Sequence, residues 1–334
     1  MSRPCLLTVL AGLLLSTAPA ALMADSHDIH TAAQAGDLAR VQALLAEAPE
    51  LLNARDASER TPLHAAALAP DARVVAFLLE QGADANAKDA SSETPVFVAA
   101  RAGRVESVKR LLAGGAKLDL KNKRGASPLH VIAAEGQRTP AAQAARKAIA
   151  GLLLAEGADV EAADREGMTA LHVALARQRD ELVGPLIESG ADLRATDAHG
   201  RTPLYYAALS NNAKAIALLV ERKAELNAAD NSGNTALHAA ALRCRRDASE
   251  LLLSSGANAA AVNQEGETAL HVLASQRLRA KEAEPLQTAI AELLIEHGAD
   301  VNRRAADGTT PLGRALAKEH RQLARWLERK GGVR

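Results

Sequence analysis

A short motif, Thr or Ser followed by Pro or Ala and then an apolar residue, returns eight times along this chain of 334 residues. Its leading residues are Thr61, Thr94, Ser127, Thr169, Thr202, Thr235, Thr268 and Thr310, separated by steps of 33, 33, 42, 33, 33, 33 and 42. A fixed period near 33 constrains the fold more than any other feature. It demands a stacked solenoid in which each unit buries its apolar face against its neighbours. Such a chain presents surface rather than enclosing an active site. Composition agrees. Apolar residues make up 48% of the chain, yet the aromatic ones are five, Phe77, Phe97, Tyr205, Tyr206 and Trp326. The remainder is mainly Ala and Leu, strong helix formers whose modest size lets helices approach closely.

Residues 202–235 illustrate one unit. Thr202 is a helix cap and Pro203 suits the first helical position, where a missing N–H is harmless. Leu204, Ala207 and Ala208 share one face of a short helix, and Asn211 tolerates the left-handed turn that ends it. Ile216, Leu218 and Leu219 mark a second helix. The chain then extends through Leu226 to a turn at Asp230-Asn231-Ser232-Gly233.

This pattern resembles the ankyrin repeat. Thr61-Pro62-Leu63-His64-Ala65-Ala66, Thr235-Ala236-Leu237-His238-Ala239-Ala240 and Thr169-Ala170-Leu171-His172 carry its opening motif. Gly82-Ala83-Asp84, Gly157-Ala158-Asp159, Gly190-Ala191-Asp192 and Gly298-Ala299-Asp300 carry its closing one. The resemblance covers roughly residues 27–332 and implies an all-α solenoid of about nine repeats including caps. Paired antiparallel helices would be joined by β-hairpin-like fingers, with the fingers and first helices lining a concave face. The ends depart from the pattern. Residues 27–60 keep Ile29-His30 and Gly36 without the Thr-Pro start, and Gly313 follows Thr310-Pro311-Leu312 where His is expected; terminal units need one polar outer face. Lys223 stands where the closing Gly belongs, so a left-handed, strained Lys is expected there.

Two repeats, 127–168 and 268–309, carry nine additional residues. The distance from closing Gly to the next Thr stays at 12, whereas Thr/Ser to closing Gly grows from 21 to 30. The extra length therefore falls inside the helical pair. Thr139-Pro140 and Glu284-Pro285 read as N-cap and first-turn positions of second helices that start early. Ala148-Ile149-Ala150-Gly151-Leu152-Leu153 matches Ala289-Ile290-Ala291-Glu292-Leu293-Leu294, which points to duplication of a four-repeat block.

The N-terminus reads differently. Arg3 precedes an apolar run, Leu6 to Leu15, and Ala18-Pro19-Ala20 offers small residues for cleavage. The expectation is a signal peptide over residues 1–20, with cleavage after Ala24 as the alternative, and a bacterial periplasmic location. The run is too short to span a membrane. Cleavage removes Arg3 and Cys5, lowering Lys+Arg from 40 to 39 against 40 acids, a net charge of about −1. This balance argues against nucleic-acid binding. Cys244 is then the one remaining cysteine, so no intramolecular disulfide holds the fold.

Chemistry-bearing motifs are scarce. HExxH, GxSxG, P-loop and GxGxxG patterns are absent, which argues against an enzyme and implies no cofactor. Six of the ten histidines, His30, His64, His130, His172, His238 and His271, share one motif position, to which the resemblance assigns a structural role beside the capping Thr. His27, His199, His297 and His320 have no metal-ligand spacing. Asp84, Asp159, Asp192 and Asp300 recur at loop starts, where a carboxylate accepts backbone N–H groups. Cys244 sits at a turn-Gly position among Arg243, Arg245 and Arg246. A basic setting of this kind lowers a thiol pKa, so a redox or stress-linked accessory role is the second functional reading beside an incidental exposed thiol.

In the ankyrin family the variable contacts come from the finger tip, the residue before Thr and the end of the first helix. Here those positions hold Lys123, Arg124, Arg165, Arg177, Arg201 and Arg243, with Glu135 and Glu166 among them. Glu265, Glu267 and Asp307 follow toward the C-terminus. A basic central groove and an acidic end would steer an acidic protein partner; a solvated face of alternating charge is the plainer alternative. Tyr205, Tyr206 and Met168 are candidate anchors if exposed, although Tyr206 also suits packing between repeats. The leading expectation is a non-catalytic, monomeric protein-binding module of the periplasm, acting as scaffold, regulator or immunity-type inhibitor.

Overall fold

Each Thr or Ser of the repeated motif starts a helix for a local reason. In the computed structural model, which describes residues 28–276 and 283–334, the Thr61 side chain accepts the His64 backbone N–H, while the Thr61 N–H donates to His64 Nδ1 at 3.1 Å. Ser127 with His130, Thr169 with His172, Thr235 with His238 and Thr268 with His271 form the same reciprocal cap at 3.2 Å. Two orphan helix-start donors are thereby satisfied. With Nδ1 accepting, the proton resides on Nε2, which donates to a carbonyl of the next finger. The acceptors are Glu93 (3.0 Å), Met168 (2.8 Å), Arg201 (3.1 Å), Glu267 (3.0 Å) and Thr309 (3.3 Å). These five histidines have the expected structural role. His30 Nε2 is likewise hydrogen-bonded to the Arg60 carbonyl, at 2.7 Å.

Two compact units make up the chain, Met1–Lys123 and Arg124–Arg334. The leader expected at 1–20 or 1–24, with Cys5 and His27, lies outside the described residues. In the first unit, α1 (28–35) pairs with α2 (Leu38–Glu47), and a 3-10 turn at Pro49–Asn53 follows. The pairs α3 (Pro62–Ala66) with α4 (Arg73–Glu80) and α5 (Pro95–Arg101) with α6 (Val105–Ala113) complete it. The second unit holds six pairs. They are α7 (Pro128–Ala134) with α8 (Pro140–Ala155), α9 (Ala170–Ala176) with α10 (Asp180–Glu188), and α11 (Pro203–Leu209) with α12 (Ala213–Glu221). There follow α13 (Ala236–Leu242) with α14 (Arg246–Ser254), α15 (Ala269–Ser275) with α16 (Ala283–Glu296), and α17 (Pro311–Ala317) with α18 (Arg321–Arg329). Among the described residues there is no strand and there are nine helix pairs. The all-α repeat solenoid is the observed fold.

Within the second unit the odd-numbered helices pack in sequence order as one layer and the even-numbered ones as another. Leu171, Leu204, Leu237 and Leu270, equivalent in four successive repeats, are at most 1% exposed. Complete burial of each contributes about 1.5–3 kcal/mol before chain entropy is subtracted.

Successive fingers are tied tip to tip. Arg165 N–H donates to Arg124 O (3.0 Å), Ala198 to Glu166 O (2.8 Å), Asn231 to His199 O (2.8 Å), Gln264 to Ser232 O (2.9 Å) and Ala306 to Glu265 O (2.9 Å). The first and last of these bonds cross the long repeats with the pairing unchanged. The additional residues accordingly lengthen the second helices: α8 has 16 residues and α16 has 14, against 9 in α10. Thr139 caps α8, accepting Ala142 N–H at 3.3 Å, with Pro140 first in the helix. Glu284 needs correction, because α16 already begins at Ala283; Glu284 and Pro285 are both first-turn residues rather than cap and first residue.

Lys223 adopts φ +62° and Asn211 φ +59°, the left-handed turns expected at those positions. The closing glycines Gly157, Gly190, Gly256 and Gly298 share that sign. Asp84, Asp159, Asp192 and Asp300 accept the backbone N–H two residues onward, at 2.8 to 2.9 Å.

Candidate binding surface

The face worth building lies in the second unit, where fingers meet first helices. Its fingers are knotted by a side chain the motif reading overlooked. Asp164, Asp197, Asp230 and Asn263 each accept two backbone N–H groups, two and four residues onward, at 2.8 to 3.0 Å. The hairpin closes on itself with the Asp197 N–H donating to Arg201 O at 3.1 Å, and with its counterparts in neighbouring fingers. The tips are therefore rigid without a β-ladder.

Arg165 stands exposed on a finger tip, Arg177 is exposed at the end of α9, and Arg243 is exposed at the end of α13. None of the three makes an ion pair among the described residues. Arg124 is exposed on the neighbouring tip. Lys123 is exposed too, but it belongs to the first unit.

Two candidates change role. Arg201 is engaged within its own finger, donating through Nε to Asp197 Oδ2 at 2.8 Å and pairing through Nη2 at 2.8 Å. The Tyr206 hydroxyl donates to the same carboxylate at 2.6 Å, and the Arg201 guanidinium lies 5.1 Å from the Tyr206 ring centre. Burial pushes the Asp197 carboxyl up, yet the hydroxyl and arginine N–H donors outweigh it and hold the group below the usual carboxylate range. Tyr205 is 8% exposed, so it is a wall residue rather than a protruding anchor. It occupies the motif position held elsewhere by His.

Cys244 is corrected outright. At φ +50° the turn buries its side chain to 6% exposure, and burial pushes the thiol up to about 11 despite the adjacent Arg245. A protonated, buried thiol is neither the activated nucleophile nor the exposed group expected from the flanking arginines. The acidic C-terminal end is also reduced, because Arg314 of α17 pairs with both Glu267 and Asp307. Glu265 remains exposed.

Two cavities open on this face. One, of about 340 Å³, is walled by Tyr205, Asn234, Leu242, Asn263, Glu265 and Gln276, among others. The other, of about 300 Å³, is lined by Ala176, Gln178, Tyr206, Leu209, Ser210, Arg243 and Arg245. Arg245 also donates through Nε to the Leu209 carbonyl at 3.1 Å, and Arg179 donates through Nη2 to Gly136 O at 2.9 Å. Guanidinium groups thus cap carbonyls at the ends of first helices one repeat earlier. Asn234, Asn263 and Gln178 escaped the sequence reading, and Arg245 entered it only as a neighbour of Cys244. Their positions at finger closures and helix ends were visible, but the cavities they wall were not.

No group of three or more His, Cys, Asp or Glu among the described residues could hold a metal ion, and no helix there is long and apolar enough to cross a membrane.

Comparison with known proteins agrees with this geometry. A family model described as ankyrin repeats (3 copies) matches residues 29–122, 66–139, 96–197 and 178–262, and one described as ankyrin repeats (many copies) matches 282–328. Among solved structures, the chain is similar to the crystal structure of the ankyrin repeat domain of Bcl-3, a unique member of the IkappaB protein family. The two share 29% identity at a TM-score of 0.56, over 71% of this chain and 98% of that one. No curated protein matches the chain in a sequence comparison. Repeat period, caps, fingers and family models converge: the chain belongs to the ankyrin repeat family and is a protein–protein interaction module.

Proposed function

We propose that the finger-and-first-helix face of Arg124–Arg334 captures an acidic segment of a partner protein in the bacterial periplasm, as scaffold, regulator or immunity-type inhibitor. The observation that carries this reading is the set of exposed arginines without ion-pair partners among the described residues, Arg165, Arg177 and Arg243, the last of which lines a cavity. Unpaired surface charge of one sign raises the encounter rate with an opposite surface and orients it. The periplasmic part rests on the leader-like residues 1–20, and the acidic partner rests on charge complementarity alone.

The test is retention of a partner from periplasmic extract on the immobilised chain, identified by mass spectrometry. The triple reversal Arg165→Glu, Arg177→Glu and Arg243→Glu should abolish retention while leaving the helical circular dichroism intact. Retention unchanged by the reversal would sink the proposal. Arg201 is left out of the set because reversing it would break the Asp197 clasp.

A further inference from the structure

The two cavities are neighbours by construction. Tyr205 lines one and Tyr206 the other, and so do Leu242 and Arg243 at the end of α13. Their linings differ in charge. The 300 Å³ cavity contains Arg243 and Arg245 and no carboxylate. The 340 Å³ cavity contains Glu265 and Glu267 together with Arg314, which pairs with Glu267.

Carbonyl groups at the C-terminal end of α11 would by themselves repel an anion. Here they are occupied. Ser210 O accepts Gln178 Nε2 at 2.5 Å, Leu209 O accepts Arg245 Nε at 3.1 Å, and Tyr206 O accepts Ser210 Oγ at 2.9 Å. The guanidinium of Arg243 is exposed and makes no ion pair among the described residues.

We infer that the cavity between Tyr206 and Arg243 receives a Glu or Asp side chain of the partner, with a neighbouring uncharged polar residue seated against Tyr205 and Asn234. A carboxylate fits the first cavity because Arg243, which lines it, supplies a charge-assisted donor and no carboxylate shares the lining. A second carboxylate is disfavoured next door by Glu265, so the charge difference sets the direction in which the segment lies. This assignment rests on the reading that the face captures a protein.

The experiment uses a fluorescein-labelled peptide of alternating Glu and Ser, and its Gln and Ser counterpart, titrated with the mature chain at low ionic strength and read by anisotropy. The Glu peptide should bind at least about tenfold more tightly than the Gln peptide, a difference of about 1.4 kcal/mol. Arg243→Glu should weaken it about tenfold or more, while Arg243→Lys retains most binding. Equal binding of the two peptides, no binding of either, or indifference to Arg243→Glu would overturn the assignment. Competition by inorganic phosphate as effective as unlabelled peptide would show a small-anion site instead, and would overturn it as well. If Arg165→Glu abolishes capture of the native partner while Arg243→Glu does not, the cavity assignment fails and the binding-face reading stands.

Discussion

The two long repeats, 127–168 and 268–309, solve one structural problem with different chemistry. In each, the second helix is lengthened, and carbonyls at the end of the first helix or just beyond it take a side-chain donor from that second helix. In the first, Arg146, 5% exposed, donates to Gln137 O at 2.8 Å and pairs with Glu181 of the next repeat. The equivalent residue 141 positions later is Gln287, fully buried, whose Nε2 donates to Leu273 O at 3.2 Å and Gln276 O at 3.4 Å. A cation satisfies carbonyls well but then requires a buried counterion. An amide needs none, yet Gln287 Oε1 has no hydrogen-bond partner among the described residues. The geometry shared by the two long repeats therefore keeps the need for a donor, not its identity.

The largest test of this contrast is Arg146→Met against Gln287→Leu. Removing one partner of a buried ion pair leaves Glu181 uncompensated, and the loss should be about 3–5 kcal/mol in urea unfolding. Gln287→Leu removes a neutral donor together with an unpaired acceptor, so its cost should be about 1 kcal/mol or less. Arg146→Met combined with Glu181→Leu should recover most of the loss, since two apolar groups replace both charges. Equal losses at Arg146 and Gln287 would erase the contrast.

A second test uses protons. Burial holds the His271 imidazole below its ordinary pKa, as it does for His64, His172 and His238. With the folded value below the unfolded one of about 6.5, this stabilisation is complete above that pH and is lost as pH falls. The urea midpoint should decline between about pH 6.5 and pH 5, above the carboxylate range. His271→Asn should flatten part of that decline, and a midpoint that stays level on acidification would contradict it. Protonated Nδ1 could not accept the Thr268 N–H, which ties the effect to the cap of the second long repeat.

The smallest effect concerns the ordinary repeats lying between the two long ones. Lys223 interrupts their glycine closures at φ +62°. Lys223→Gly should stabilise by about 1 kcal/mol, partly offset by the freedom glycine adds to the unfolded chain. An unchanged or lower melting temperature would show that the intervening repeats are no more strained there than at a glycine.

Much of the fold could be read directly. Thr61, Thr169 and Thr235 announce their helices because cap, proline or alanine and histidine all act within four residues. The position of the extra length was legible too, since the closing glycines keep their distance to the next Thr. The binding face was legible only in outline. Arg165, Arg177 and Arg243 are exposed as expected, but Arg201 is bound to Asp197, and Tyr205 and Cys244 are buried. The spacing of Asp197 and Arg201, four residues apart across a finger, was a signal available in the chain, and Asp56 with Arg60 repeats it at 2.7 Å.

The chain by itself determined the period, the helix starts, the left-handed turns and the two long second helices, because each depends on backbone preferences acting over a few residues. Tertiary structure decided which charges remain available to a partner. Arg146 meets Glu181 at a separation of 35 residues, and Arg314 meets Glu267 across 47. Such pairings arise only when neighbouring repeats stack, because the strength of a charge interaction depends on distance and burial in space rather than on separation along the chain.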